Sequence, residues 1–205
     1  MRSGILSISY WGCALFWALL GVGLCSNRAL AKGAGEVAPV AAIGVNFHTG
    51  VTGKSLTGAL GQYVAFRAEA RKGYFRPNAA CEVQSSVGKA SIGSDTPAAT
   101  IYGSGFLAGF HVFLFPTGRF QPFFGGNGVF SWHFMKLASP PTGVEPYTQG
   151  LSYGYEASAG VDIRMGSQDG TALRIRSGFW SVGSQLAGVS GFQLNGFRFE
   201  LGLVW

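Results

Sequence analysis

Residues 150–164 read GLSYGYEASAGVDIR, and alternate positions in this stretch have opposite character. The first set is apolar or aromatic: Leu151, Tyr153, Tyr155, Ala157, Ala159, Val161 and Ile163. The second set is small or charged: Gly150, Ser152, Gly154, Glu156, Ser158, Gly160, Asp162 and Arg164. Because side chains alternate across a strand, the pattern predicts one long strand with two unlike faces. Soluble strands usually have about five or six residues, whereas strands that cross a membrane need about nine to eleven within lipid.

The same alternation recurs along the chain and predicts further strands. Seven are placed with the segment above included: 40–48, 62–71, 100–115, 119–135, 150–164, 171–180 and 196–205. An eighth is placed at 79–90, where Cys81, Val83 and Val87 share a face, because bacterial single-chain barrels have even strand numbers. The sequence therefore predicts an all-β fold, an eight-stranded antiparallel up-and-down transmembrane β-barrel.

The connectors are expected to alternate in length. Pro116-Thr117-Gly118 and 167–170 are expected to be tight turns on the periplasmic side. Longer connectors are expected on the extracellular side, at 49–60, 90–99, 136–149 and 183–191.

The N-terminal 31 residues have the layout of a secretory signal peptide. Arg2 precedes an apolar stretch at 11–25, and Ala29-Leu30-Ala31 is an Ala-x-Ala cleavage site. We expect cleavage after Ala31, with a retained membrane anchor as the alternative. The domains are then a signal peptide at 1–31 and an outer-membrane barrel at 32–205. Cleavage leaves Cys81 as the one cysteine, so the exported domain needs no internal disulfide.

Composition excludes several classes of protein. The 205 residues include 33 Gly, with 14% aromatic and 12% charged residues, which argues against intrinsic disorder and a coiled coil. The basic residues are scattered, so we expect no nucleic-acid partner. His48, His111 and His133 lie on three predicted strands without ligand spacing, so we expect no metal and no cofactor.

Most of the charged residues fall on the small-residue face of the predicted strands, which an eight-stranded barrel would turn inward. The predicted inward set is Arg67, Glu69, Arg71, Glu156, Asp162, Arg164, Arg174, Arg176, Arg198 and Glu200. Opposite charges in a confined lumen should pair, because an unpaired buried charge is costly. We interpret the set as an ion-pair network that plugs the lumen, the alternative being a narrow gated pore or a small-ligand site.

Two stretches resemble parts of known outer-membrane proteins. Residues 116–130, PTGRFQPFFGGNGVF, resemble the turn and following strand of small bacterial barrels of the OmpA, OmpX and lipid A deacylase type. The final strand, GFRFELGLVW, resembles the C-terminal sorting strand that the insertion machinery reads in such barrels. The residues that carry this second resemblance share one face: Phe197, Phe199, Leu201, Leu203 and Trp205.

These resemblances imply an outer-membrane location. They also imply contact with membrane lipid and lipopolysaccharide, and handling by the barrel-insertion machinery and periplasmic chaperones during biogenesis. We expect the barrel to be a monomer.

Three functions follow as hypotheses. The first is a non-enzymatic outer-membrane barrel that acts through envelope structure or its extracellular loops. The second is a lipid-modifying enzyme of the lipid A deacylase type, although the resemblance implies a His-x-Ser pair on a late strand and 172–178 has no His. Its catalytic candidates here are Ser131, His133 and Glu156, which could in principle form a nucleophile, base and acid. The third is a soluble periplasmic barrel that binds an apolar ligand inside.

Overall fold

The computed structural model describes residues 37–50, 54–92, 94–166, 171–186 and 189–205. The predicted signal peptide and the predicted turn at 167–170 lie outside these ranges. Within the described ranges, no helix is long and apolar enough to span a membrane.

The described residues form eight antiparallel strands that close into a barrel in chain order. The strands are β1 (Val37–His48), β2 (Ser55–Ala70), β3 (Phe75–Ser91), β4 (Ala98–Phe113), β5 (Phe120–Leu137), β6 (Tyr147–Arg164), β7 (Ala172–Leu186) and β8 (Val189–Val204). The predicted all-β fold with eight antiparallel strands is thus confirmed, including the strand placed at 79–90, which is β3.

The register gives the barrel two unlike faces. Ile43 of β1 lies between Val64 of β2 and Leu201 of β8, and all three side chains are exposed on the outside. Their chain neighbours Ala42, Ala65 and Gly202 are buried on the inside. The outer surface is therefore apolar around the barrel, and the large exposed side chains include Phe47, Phe106, Phe130, Tyr153, Tyr155, Ile175 and Phe199.

The two ends of the barrel differ in what they connect. We call the end at which β1 begins and β8 ends the terminal end; its connectors are 71–74, 114–119 and 165–171. The opposite, distal end has the connectors 49–54, 92–97, 138–146 and 187–188.

The predicted alternation of short and long connectors is wrong. The strands continue at the distal end into stretches that were expected to be loops, so connectors at the two ends have similar lengths. The physical reason is that Leu56, Ala90 and Leu137 of these extensions are buried inside the barrel, where packing supports further ladder hydrogen bonds. At the terminal end, β5 begins at Phe120, so Arg119, the first residue of the strand predicted at 119–135, lies outside β5 and is exposed.

The seam between β1 and β8 is built differently from the other strand pairs. The two strands pair from Val40–Val204 to His48–Gly196, where β1 ends. Beyond that point β8 continues and Gln193 pairs in parallel with Ser55 of β2, its N–H donating to the carbonyl of Lys54 at 2.8 Å. Chain closure at the distal end therefore involves three strands.

Candidate functional site

The interior near the terminal end is organised around Arg174. Its Nε and Nη2 donate to the two carboxylate oxygens of Asp162 at 2.7 and 2.8 Å, and its Nη1 and Nη2 donate to Glu69 at 3.1 and 2.9 Å. His111 lies within hydrogen-bond distance of the same Glu69 carboxylate. Since Arg174 is 0% and Glu69 1% exposed, each group depends on the others for its polar partners.

A second cluster lies further along the barrel axis around Arg176. This guanidinium donates to Glu156 through Nη1 and to Glu200 through Nη2, the latter at 2.6 Å. Glu200 also lies 3.6 Å from Nη2 of Arg67 and accepts a hydrogen bond from the Tyr63 hydroxyl at 3.2 Å. Strands β2, β6, β7 and β8 are therefore joined across the lumen by one connected set of charges.

Arg198 extends this network to β3. Its two terminal nitrogens donate to Glu82 at 2.9 and 2.7 Å, and Nη1 also donates to Glu156 at 3.1 Å. The guanidinium carbon lies 4.3 Å from the ring centroid of Trp180 and 4.6 Å from that of Tyr63. A planar guanidinium can make the paired hydrogen bonds and the ring contacts together, which an ammonium group cannot.

The structure brings together most of the predicted inward charges. Arg67, Glu69, Glu156, Asp162, Arg174, Arg176, Arg198 and Glu200 are all buried in these two clusters. Two predicted members lie elsewhere. Arg71 follows the last residue of β2 and is half-buried, and Arg164 donates to the backbone carbonyl of Pro116 at 3.1 Å.

Sequence reasoning missed two charged members of the interior. Glu82 is buried and bonded to Arg198, and its position next to the outward Val83 was the signal that could have found it. Arg76 lies before the predicted third strand; its guanidinium carbon is 3.7 Å from the ring centroid of Phe113. With these two, the buried charged residues in the described ranges are five arginines and five carboxylates, so the formal charges of this set balance.

Inward glycines make room for the large polar side chains. A Cβ on Gly103 would lie 2.4 Å from the His133 ring, and one on Gly109 would lie 2.6 Å from Oδ1 of Asn127 and 2.0 Å from the carbonyl of Gly126. Neither position has space for a larger residue, so glycine is required there by close approach.

The distal part of the interior contains an apolar cluster beside the buried polar side chains of His133, Ser152 and Ser184. The cluster includes Leu56, Ile92, Ile101, Met135, Leu137, Val182, Phe192 and Leu194, and Val144 of the 138–146 connector packs against it. Trp180 belongs to this cluster and also faces Arg198, so it lies where the apolar and ionic parts meet. Among the described residues, the barrel interior thus has an ionic part near the terminal end and an apolar cluster near the distal end.

The catalytic candidates are buried but do not form a hydrogen-bonded triad. Both oxygens of Glu156 accept from arginines, and Oε1 also accepts from Asn127 at 3.1 Å. Nδ1 of His133 lies 2.7 Å from Ser152 Oγ, on the neighbouring strand, and among the described residues Ser131 Oγ has no hydrogen-bond partner.

The network around Gln84 assigns the protons of His133. The Gln84 carbonyl oxygen accepts from Asn46 at 2.9 Å and from Arg198 at 3.2 Å, so its NH₂ group faces His133 Nε2 at 2.8 Å. Nε2 is therefore an acceptor and Nδ1 carries the proton, which it donates to Ser152 Oγ. Since Ser152 in turn donates to Ser184 at 2.8 Å, the serine proton is directed away from the histidine.

The remaining site predictions fall on the outer surface or concern metals. Phe197, Phe199, Leu201, Leu203 and Trp205 are exposed along one outer face of the last strand and its end. Cys81 is half-buried on the outer face of β3. In the part of the chain that the structure describes, no group of three or more His, Cys, Asp or Glu side chains is arranged to hold a metal ion.

Comparison with protein-family models found no match, and none of the curated proteins compared with the chain matches it.

Proposed function

We propose that the protein is a non-enzymatic integral outer-membrane β-barrel with a side-chain-plugged lumen, which acts through envelope structure or its extracellular connectors. The observation that carries the proposal is the inverted distribution of polarity. Exposed side chains such as Ile43, Phe130 and Tyr153 are apolar, whereas Arg174, Glu156 and other charges are buried inside. Lipid favours an apolar exterior, and a soluble ligand-binding barrel needs the opposite arrangement.

The paired interior favours a plug over a pore. A water-filled channel would leave charged side chains solvated, but the network charges are almost fully buried and bonded to one another. The apolar cluster then closes the distal end. A barrel of eight strands has an interior just wide enough for side chains to fill it.

The proposed partners follow from the outer surface and the last strand. Membrane lipid and lipopolysaccharide would contact the apolar exterior, and the barrel-insertion machinery would read the face that ends at Trp205. Periplasmic chaperones would hold the chain before insertion, because unpaired strand edges and apolar faces aggregate in water. The barrel would be a monomer that needs no cofactor.

Fractionation tests the location directly. We expect the mature protein in the outer-membrane fraction and a different gel mobility for unboiled and boiled samples, as a folded barrel resists detergent until heated. Recovery in the soluble periplasm without detergent would overturn the proposal.

A substitution on the outer surface tests whether that surface lies in lipid or in water. Arg in place of a lipid-facing residue near the bilayer centre costs about 2–4 kcal/mol, whereas exposed surface substitutions in water usually stay within about 0.5 kcal/mol. Ile43→Arg should therefore destabilise the barrel in urea unfolding from lipid vesicles, and the matched control Thr96→Arg, in an exposed distal connector, should not. Equal stability of the two variants would contradict a lipid-facing exterior.

The lipid-modifying alternative has a separate test. We expect Ser131→Ala and His133→Ala to leave the acyl pattern of lipid A as it is with the wild-type protein, because His133 is engaged by Gln84 and Ser152. A wild-type activity on lipid A that either variant abolishes would replace the proposal with an enzyme.

A further inference from the structure

The terminal end carries a basic cleft between two neighbouring connectors. Thr117 and Arg119 of the 114–119 connector and Arg164, Met165 and Gly166 at the end of β6 line a cavity of about 400 Å³. This volume lies in the range of about 300–1,000 Å³ that small-molecule ligands occupy in proteins.

Hydrogen bonds hold the two walls of the cleft together. The backbone N–H of Arg164 donates to the carbonyl of Arg119 at 2.9 Å, and Nη2 of Arg164 donates to the carbonyl of Pro116 at 3.1 Å. The second bond places one guanidinium against the opposite connector, while the Arg119 side chain is exposed at the edge of the cleft. Two arginines and a threonine thus line one cavity, and guanidinium and hydroxyl donors suit the oxygens of a phosphate group.

Exposed apolar side chains accompany the cleft along the chain. Met165 lines it and is exposed, and Phe115 and Phe120, which flank the segment 116–119 in sequence, are exposed as well. Phe120 pairs with Ile163 on the outer face, from which the apolar exterior continues along β5 and β6. A ligand that has an anionic head and apolar chains would satisfy both surfaces, whereas free phosphate would use the arginines alone.

We propose that this cleft binds the phosphate headgroup of an anionic phospholipid, with its acyl chains against the outer face of β5 and β6. The assignment rests on the proposed function, because it needs the outer face to lie in lipid. With the terminal end on the periplasmic side, the bound lipid belongs to the inner leaflet of the membrane.

Native mass spectrometry of the detergent-purified full chain tests the site with phosphatidylglycerol as the anionic probe and phosphatidylcholine as the zwitterionic one. Wild-type protein should retain phosphatidylglycerol in preference to phosphatidylcholine. Arg119→Gln should weaken this retention about tenfold, the loss expected for one charge-assisted phosphate contact. The control Lys72→Gln, which removes a charge from another connector at the same end, should retain the lipid like wild type.

Three outcomes would overturn the site: equal retention by Arg119→Gln and wild type, equal loss in Lys72→Gln, or complete displacement by inorganic phosphate. The last would assign the cleft to a soluble anion. Arg119→Gln should keep the heat-dependent gel mobility of the wild type, which separates loss of the site from loss of the fold. Failure of lipid retention in a protein that still fractionates with the outer membrane overturns the cleft alone, and a soluble wild-type protein overturns the proposed function.

Discussion

The two parts of the barrel interior are held by different kinds of interaction. Near the terminal end, Arg174, Asp162 and Glu69 are joined by hydrogen bonds whose directions fix each side chain. Near the distal end, Phe192 and Leu194 pack among apolar neighbours without directional bonds. Charge-conserving changes should therefore be harmful in the first part, whereas shape-conserving changes should be tolerated in the second.

The largest effect is expected from breaking the ionic part. Arg174→Ala leaves the carboxylates of Asp162 and Glu69 buried without their main partner, which should lower the free energy of unfolding by about 3–5 kcal/mol. Urea unfolding of the refolded protein in lipid vesicles, followed by tryptophan fluorescence, measures the change. Arg174→Lys should also destabilise the barrel, because an ammonium group cannot reproduce the paired bonds. Full stability of the lysine variant would show that charge alone suffices.

The next effect concerns the apolar part. Leu194→Ala should cost about 3 kcal/mol through the lost burial and the cavity left behind. The matched control Leu194→Met keeps the volume and should cost less than about 1.5 kcal/mol in the same unfolding experiment. If Leu194→Met lowered the free energy of unfolding as much as Leu194→Ala, the distal cluster would require the exact shape of leucine and not only its volume.

A smaller effect should arise where the ionic part has no spare space. A Cβ at Gly109 would meet backbone and side-chain oxygens, so Gly109→Ala should destabilise the barrel by about 1–3 kcal/mol. Gly128→Ala is the control and should be tolerated, since its Cβ would lie 3.8 Å from the carbonyl oxygen of Ala108, an ordinary van der Waals distance. The measurement is the temperature at which half of each variant shifts to the gel mobility of the unfolded protein. It compares an inward position on β4 with an outward position on β5.

Much of the fold could be predicted from the sequence because alternation carries the information. On β6, Glu156 and Asp162 are inward and Tyr153 and Tyr155 outward, as the residue pattern of 150–164 indicates. The distal strand ends could not be found this way. Around Leu56 the inward residues are apolar or small like the outward ones, so the alternation disappears where the strand continues.

The partners within the network could not be predicted either. Parity places Glu69, Glu156 and Arg198 inside, but it does not say which carboxylate meets which guanidinium. Arg198 bonds Glu82 across 116 positions of the chain, and Arg174 bonds Glu69 across 105. Such pairs depend on the stagger of strands around the barrel, which only the closed structure supplies.

The three-strand closure at the distal end bears on the order in which the barrel assembles. Pairing of β1 with β8 joins the most distant strands of the chain, and such non-local contacts bear the largest entropic cost before they form. Because Gln193 must also reach Ser55 on β2, the first hairpin has to be in place before the last strand can dock along its whole length. We therefore expect a late assembly intermediate in which the barrel is open between β1 and β8. The unpaired edges of these two strands could then pair with a strand of another chain.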